Sequence, residues 1–441
     1  MSILENLWWY LVLIGVMILI HELGHYWAAR WFDVKVETFS FGFGPRLFGF
    51  QRGETDFRFS AILFGGYVKM LGEQPGDEHG SDPRALTSKP RWQRVIIAFA
   101  GPAINIVLAV ALLTGLFMVH YEKRPNPHSP VVGYLENDGP AAKANIRIGD
   151  KIVQVEDTVD PDWQDVTNLA LMSAGRPMQV WVDRAGDRVR IPVTPIVEGR
   201  QGLDPLGWAP ESEIEIAAVS KGQEGEQAGL QRGDILVSVN GMPLLSSARL
   251  NEIEKTTQGA PLDLVYSRKG VRQHVNVKPA WRSPIPGEPE RWMIGLTLAP
   301  RVDVVQLPFP QAVSEATRAS AVNAQLIVKY LQGLVQRRMS AKMIEGPLRI
   351  AKLSGDAARE GPLTYIGLMA AVSLNLAIFN LIPIPILDGG VILVLLIEML
   401  MRRDLDLRVK ETVIKVGFVF LMFVVVFVLY NDITKIFPGK S

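Results

Sequence analysis

Two histidines four residues apart, with a glutamate directly after the first, are the part of this chain best suited to chemistry. The stretch reads Ile18-Leu19-Ile20-His21-Glu22-Leu23-Gly24-His25. On a helix, positions i and i+4 lie one above the other on a single face. His21 and His25 can therefore hold one metal ion, and Zn2+ is the ion this spacing suits. Glu22 stands beside them as a candidate general base, able to take a proton from water at the metal. The chemistry implied is hydrolysis. Leu7 to Ile20 is apolar without interruption, which would put the motif at bilayer depth, where ionisable groups are costly and mark function.

Two imidazoles do not complete a zinc site; a third protein ligand is needed, with a position left for water. His79, His120, His128 and His274 fall in loops or in the soluble middle of the chain. Asp388 is better placed, in the run Asn380-Leu381-Ile382-Pro383-Ile384-Pro385-Ile386-Leu387-Asp388-Gly389-Gly390 at the end of an apolar block. Pro383 and Pro385 cannot donate backbone hydrogen bonds and break the helix. Such backbone survives at membrane depth only when buried in protein or lining a wet cavity. The bend can turn Asp388 inward, with the two glycines allowing a tight reversal after it. Taken alone, the run reads more readily as an ordinary helix exit with Asp388 in the headgroup region; beside a metal helix that lacks its third ligand, the balance turns to Asp388 as that ligand. Asn380, buried in the same run, needs hydrogen-bonding partners. A substrate peptide group or a neighbouring helix would supply them. Asn105, one turn beyond Gly101-Pro102, reads as polar glue between helices.

The chain has 441 residues, 48% of them hydrophobic, a formal net charge of +1 and no cysteine. Disulfides, thiol catalysis and Cys-type zinc sites are excluded. The near-neutral balance, without a basic stretch interleaved with aromatics, argues against nucleic acid as a partner. Four blocks reach membrane-spanning length: residues 1–30 with the metal motif, 95–119, 362–390 and 411–431. The N-terminus lacks the basic region of a cleaved signal peptide and reads as a retained helix. Residues 391–410 read as a helix too short to span, followed by a loop. Arg30, Lys89, Arg91 and Arg94 flank the first connection, and Arg402, Arg403, Arg408 and Lys410 lie in the last. The positive-inside rule makes both loops cytoplasmic and puts the termini and the middle region outside. Lys123 and Arg124 argue the other way, but long translocated domains override such charges.

Within the cytoplasmic loop, 31–94, two aromatic, glycine-punctuated stretches run from Phe39 to Pro45 and from Phe57 to Tyr67. They predict a membrane-associated β-hairpin whose edge can pair with an extended substrate. Gly65 and Gly66 are candidate substrate contacts on it, as is Pro383. The middle region carries an internal repeat: residues 144–155 align without gaps on 228–239. Each copy reads as a short helix, a glycine turn and a strand. Asn145 replaces Gly229 and is tolerable there if its φ is positive. Leu206-Gly207-Trp208 and Ile294-Gly295-Leu296 close the copies. The pattern resembles tandem PDZ domains in the permuted bacterial order, over 125–211 and 212–301, with Gly207 and Gly295 in the loops that would bind a peptide terminus. Residues 302–361 predict an amphipathic helical linker, broken at Gly346-Pro347.

Taken together, His21-Glu22-Leu23-Gly24-His25, Phe41-Gly42-Phe43-Gly44-Pro45, Gly101-Pro102-Ala103-Ile104-Asn105, the paired repeats and Asn380 to Gly390 resemble the site-2 protease family of intramembrane metalloproteases. One departure is Val391, where many relatives carry a histidine. The resemblance implies a polytopic α-helical membrane protein with four transmembrane helices, two inserted PDZ-like α/β domains and the β-hairpin. It implies His21, His25 and Asp388 as Zn2+ ligands, Glu22 as general base and Asn380 as a contact to the substrate backbone. It also implies a bacterial inner-membrane setting, with single-span substrates of anti-sigma-factor type and leftover signal peptides, cut in an envelope-stress response. Two other classes fit part of the pattern. A tethered PDZ adaptor would not need all three ligands and Glu22, and a zinc transporter should repeat within the membrane, whereas the repeat here lies in the soluble region.

Overall fold

The computed structural model describes residues 3–73, 82–123, 130–173, 175–196, 205–283, 290–336 and 346–436. His79, Arg124 and His128 lie outside the described residues. The chain divides into two units, Met1–Tyr121 with Gln306–Ser441, and Glu122–Val305.

The first unit holds four helices long and apolar enough to cross a membrane among the described residues: Leu4–Trp31, Arg91–Val119, Pro362–Asn380 and Arg408–Asp432. The second of these spans is central, touching the first, the third, the amphipathic helix Phe309–Val335 and the short helix Asp388–Met401. Glycine makes that packing possible. A side chain at Gly24 would collide with the Ala100 carbonyl, and one at Gly101 with the His25 ring. Small residues at a helix crossing let two backbones approach closely. Tyr365 donates to the Trp9 carbonyl at 2.7 Å and ties the third span to the first. Helix Pro347–Glu360 lies on the first span, and Asp432 from the fourth accepts from the backbone of Gly346 (2.9 Å) and Leu348 (3.1 Å) at its start. Those are orphan amide groups that every helix N-terminus leaves.

Two sequence expectations change here. The third span stops at Asn380, and Asp388 opens a new helix, Asp388–Met401. Gly389 and Gly390 are helical and make no reversal. Side chains there would collide with the carbonyls of Leu381 and Ile384, so glycine is needed for close passage of the 381–385 backbone. The expected hairpin is also more than one hairpin. Strands Val36–Arg52 and Thr55–Met70 pair with each other along three stretches. Residues 38–41 lie opposite 66–69 in antiparallel sense and also opposite 56–59 in rising register, while 46–52 return along 55–60. The spatial order of segments is 46–52, 55–60, 38–41, 66–70. Gly42 and Gly44, with φ of +93° and +86°, permit the sharp bend between the first two uses of the strand.

In the second unit the two copies of the repeat share atomic detail. Asp150 and Asp234, each 2% exposed, pair with Arg184 at 2.6 Å and Arg268 at 2.7 Å. Each arginine also donates to a carbonyl at 2.8 Å, that of Asn145 in one copy and Gly229 in the other. Those two residues have φ of +64° and +81°, so Asn145 takes the left-handed turn that its glycine counterpart takes. The first copy forms a four-stranded sheet from Lys151–Val155, Thr158–Val159, Met178–Arg184 and Asp187–Val193, with helix Trp163–Met172. The second forms a six-stranded sheet with helix Ser247–Thr257.

Glu254 on that last helix is 5% exposed and accepts from the backbone of Ile294 at 3.0 Å. Burial pushes its carboxyl from the usual 4.5 up to about 7, against the lowering effects of the Ile294 N–H and the Arg291 charge. The folded form keeps the proton to about pH 7 while the unfolded form releases it near 4.5. Stability is therefore full below the lower value and declines as pH rises through this window, by roughly 3 kcal/mol in all. Hydrogen exchange of the 214–277 strands should show that decline in the full chain, and Glu254→Gln should remove it. A Gln variant with the same pH dependence would assign it to another group.

Candidate metal centre

His21 and His25 come from the first span and Asp388 from the start of the helix at Asp388–Met401. The periodicity of one helix accounts for the histidine pair, with ring centroids 4.9 Å apart. Asp388 arrives from 363 residues away through the broken run 381–387. In that run Ile386 has φ of +90°, a genuine outlier for a β-branched residue. Strain of this kind costs about 1–3 kcal/mol and persists where the surroundings over-determine it. Pro383 and Pro385 force the bend, and Gly417 of the fourth span packs against Pro385.

His21 Nε2 lies 3.2 Å from His25 Nε2 and 3.2 Å from Asp388 Oδ2. His25 Nε2 lies 3.4 Å from Asp388 Oδ1. A tetrahedral ion with zinc-type bonds of about 2.0–2.1 Å separates its donors by about 3.3–3.4 Å, so the three edges fit one cation. The two Nε2 atoms face each other at a distance where only a shared proton or cation is comfortable. Both histidines are buried, at 7% and 9% exposure, and Asp388 is half-buried. Among the described residues no other group of three His, Cys, Asp or Glu converges in this way.

Around this centre the remaining candidates divide. Asn380, the last residue of the third span, places Nδ2 3.3 Å from His21 Nε2. Glu22 faces the 66–70 edge of the sheet: its Cγ is 3.1 Å from where a Gly66 side chain would begin, and the Val68 N–H faces its carboxylate. Gly66 therefore lies in close approach to Glu22. At Gly65 (φ +145°) the Phe43 ring fills the space a side chain would need, stacked on Tyr67 at 6.0 Å. Pro383 acts through the bend. Gly207 (φ +69°) and Gly295 (φ +76°) sit in turns of the other unit. The second span supplies what the sequence reading had not assigned. Ile97 O lies 2.8 Å from His25 Nδ1, Gly101 leaves room for both imidazoles, and Asn105 approaches His21 at 3.4 Å. Gly101-Pro102 was the available signal, because Pro102 cannot bond back to Ala98 and so loosens the turn next to Ile97.

Imidazole and carboxylate donors gathered among membrane-length helices, with a free carboxylate alongside, define a class, the membrane metallopeptidases. The chain belongs to peptidase family M50, whose profile matches residues 9–424. It is 30% identical over 469 residues to the regulator of sigma-E protease RseP of Salmonella typhimurium, spanning 99% of this chain and 100% of that one. To the "Putative zinc metalloprotease NMA0084" of Neisseria meningitidis it is 30% identical over 445 residues, 96% and 97% of the two chains. The protein is thus a multi-pass zinc metalloprotease of the site-2 type, which sets aside the adaptor and transporter readings.

Proposed function

We propose that this protein is an endopeptidase that cuts single-span membrane substrates within the bilayer, with zinc held by His21, His25 and Asp388. The observation that carries this reading is the convergence of three donors at 3.2–3.4 Å in helices of membrane length. When bound, zinc supplies the Lewis acidity that makes water a nucleophile near neutral pH. Glu22 takes the proton of the attacking water and hands it to the leaving amine nitrogen. Asn380 offers its amide to the substrate backbone beside the donors. A helical substrate keeps its carbonyls hydrogen-bonded, so it must unwind before attack. Segment 66–70 lies at the end of the sheet order with Gly66 against Glu22, and an unwound segment can pair there as an added strand.

The two repeats are read as PDZ-like domains outside the membrane that filter substrates by size or by their trimmed ends. The turns at Gly207 and Gly295 are the candidate terminus-binding loops. In the second, the Ile294 N–H is already held by Glu254, so an incoming carboxylate must displace it. The orientation follows the basic loops, with termini and repeats periplasmic and the site toward the cytoplasmic side of a bacterial inner membrane. The name of the Salmonella relative, regulator of sigma-E protease, supports anti-sigma-type substrates and an envelope-stress role here, with remnant signal peptides as a second group.

The test is cleavage of a single-span reporter by the purified protein in detergent, with product ends mapped by mass spectrometry. Ends inside the apolar span are expected. Ends only in the flanking soluble segments would overturn the intramembrane reading.

A further inference from the structure

His21 and His25 both turn Nε2 toward Asp388. For both to offer that lone pair to one cation, each ring must carry its proton on Nδ1. For His25 a backbone group enforces this: Nδ1 lies 2.8 Å from the Ile97 carbonyl, which can only accept. For His21 the group at Nδ1 is the side-chain amide of Asn105, 3.4 Å away and fully buried. The amide stands with Nδ2 toward the ring, and its Oδ1 has no hydrogen-bond partner. Amide oxygen and nitrogen have the same shape, and their assignment follows the hydrogen-bond network. An Nδ1–H cannot donate to an NH2 group, so the orientation consistent with ligation turns Oδ1 toward His21. The Ser373 hydroxyl donates to the Asn105 backbone carbonyl at 2.8 Å and anchors this turn of the second span to the third.

We propose that Asn105 is a positioning residue for the metal centre. Its side-chain oxygen accepts from His21 Nδ1 and fixes the tautomer and ring plane of His21, as the Ile97 carbonyl does for His25. The proposal rests on His21 being a zinc ligand. It gives Asn105 a role that interhelical glue does not: the second span would orient both imidazoles from one face, through a backbone oxygen at Ile97 and a side-chain oxygen two turns on.

The experiment is zinc affinity of the full-length protein in detergent, measured by chelator competition, with the melting temperature of the zinc-stripped protein alongside. Asn105→Leu should weaken zinc binding by about 10- to 100-fold. Asn105→Asp, which keeps an acceptor at the same place, should bind zinc close to wild type. The zinc-stripped melting temperature of the Asp variant should stay near wild type. A Leu variant with wild-type zinc affinity would overturn the proposal. So would an Asp variant that loses zinc, because a residue needed only as a donor between helices is not rescued by a carboxylate. The Asp variant decides the matter even where the Leu variant does not fold. His21→Ala separates the two readings: wild-type zinc affinity in that variant removes the ligand assignment itself, whereas loss there with retention in Asn105→Leu removes only the role of Asn105.

Discussion

Glu22→Gln should leave one zinc per chain and abolish reporter cleavage. The substitution keeps the shape of the side chain and its fit against Gly66, where the glutamate Cγ is 3.1 Å from the position a Cβ would take. It removes only the ability to accept and return a proton. General acid–base groups contribute typically 10²–10⁴-fold, so the rate should fall by at least about 100-fold. Zinc content is the control, since Glu22 is not among the converging donors. Retained cleavage would strip Glu22 of its role as base. Lost cleavage together with lost zinc would mean that Glu22 shapes the metal site instead.

Asp388→Ala should empty the metal site while leaving the helices in place. Asp388 supplies two of the three short donor separations, at 3.2 and 3.4 Å. Without it the two imidazoles remain 3.2 Å apart with no anionic donor. Changing groups behind the ligands already costs 10–100-fold in affinity, so losing a ligand should weaken zinc by more than about 100-fold. Asp388→Asn is the matching variant, keeping size while removing charge. Metal analysis after dialysis against a weak chelator reads both. Unchanged zinc in both variants would mean that another residue serves as third ligand. Asp388 also stands in the first turn of its helix, where a negative charge contributes about 0.3–1 kcal/mol. A small drop in stability is therefore expected beside the loss of zinc.

What the sequence by itself determined is what depends on near neighbours along the chain. His21, Glu22 and His25 were legible because helical periodicity puts positions i and i+4 on one face whatever surrounds the helix. The four spans were legible because crossing a bilayer needs only an unbroken apolar run of sufficient length. The positive φ of Asn145 followed from its alignment with Gly229, since both answer to the same local turn. Tertiary structure decided the rest. Asp388 reaches His21 because two prolines and a strained Ile386 redirect the backbone across a distance in sequence that no pattern encodes. Gly389 and Gly390 looked like a reversal and proved to be points of close passage, a difference set by the segment that crosses them. The threefold pairing of the sheet depends on which edge each half-strand finds. Arg184 and Arg268 pair with buried aspartates 34 positions earlier, and Asn105 finds His21 across 84. Local sequence can present a ligand or a donor, but only packing supplies the second group at hydrogen-bonding distance, because that distance is fixed by how whole helices and sheets bury their surfaces against one another.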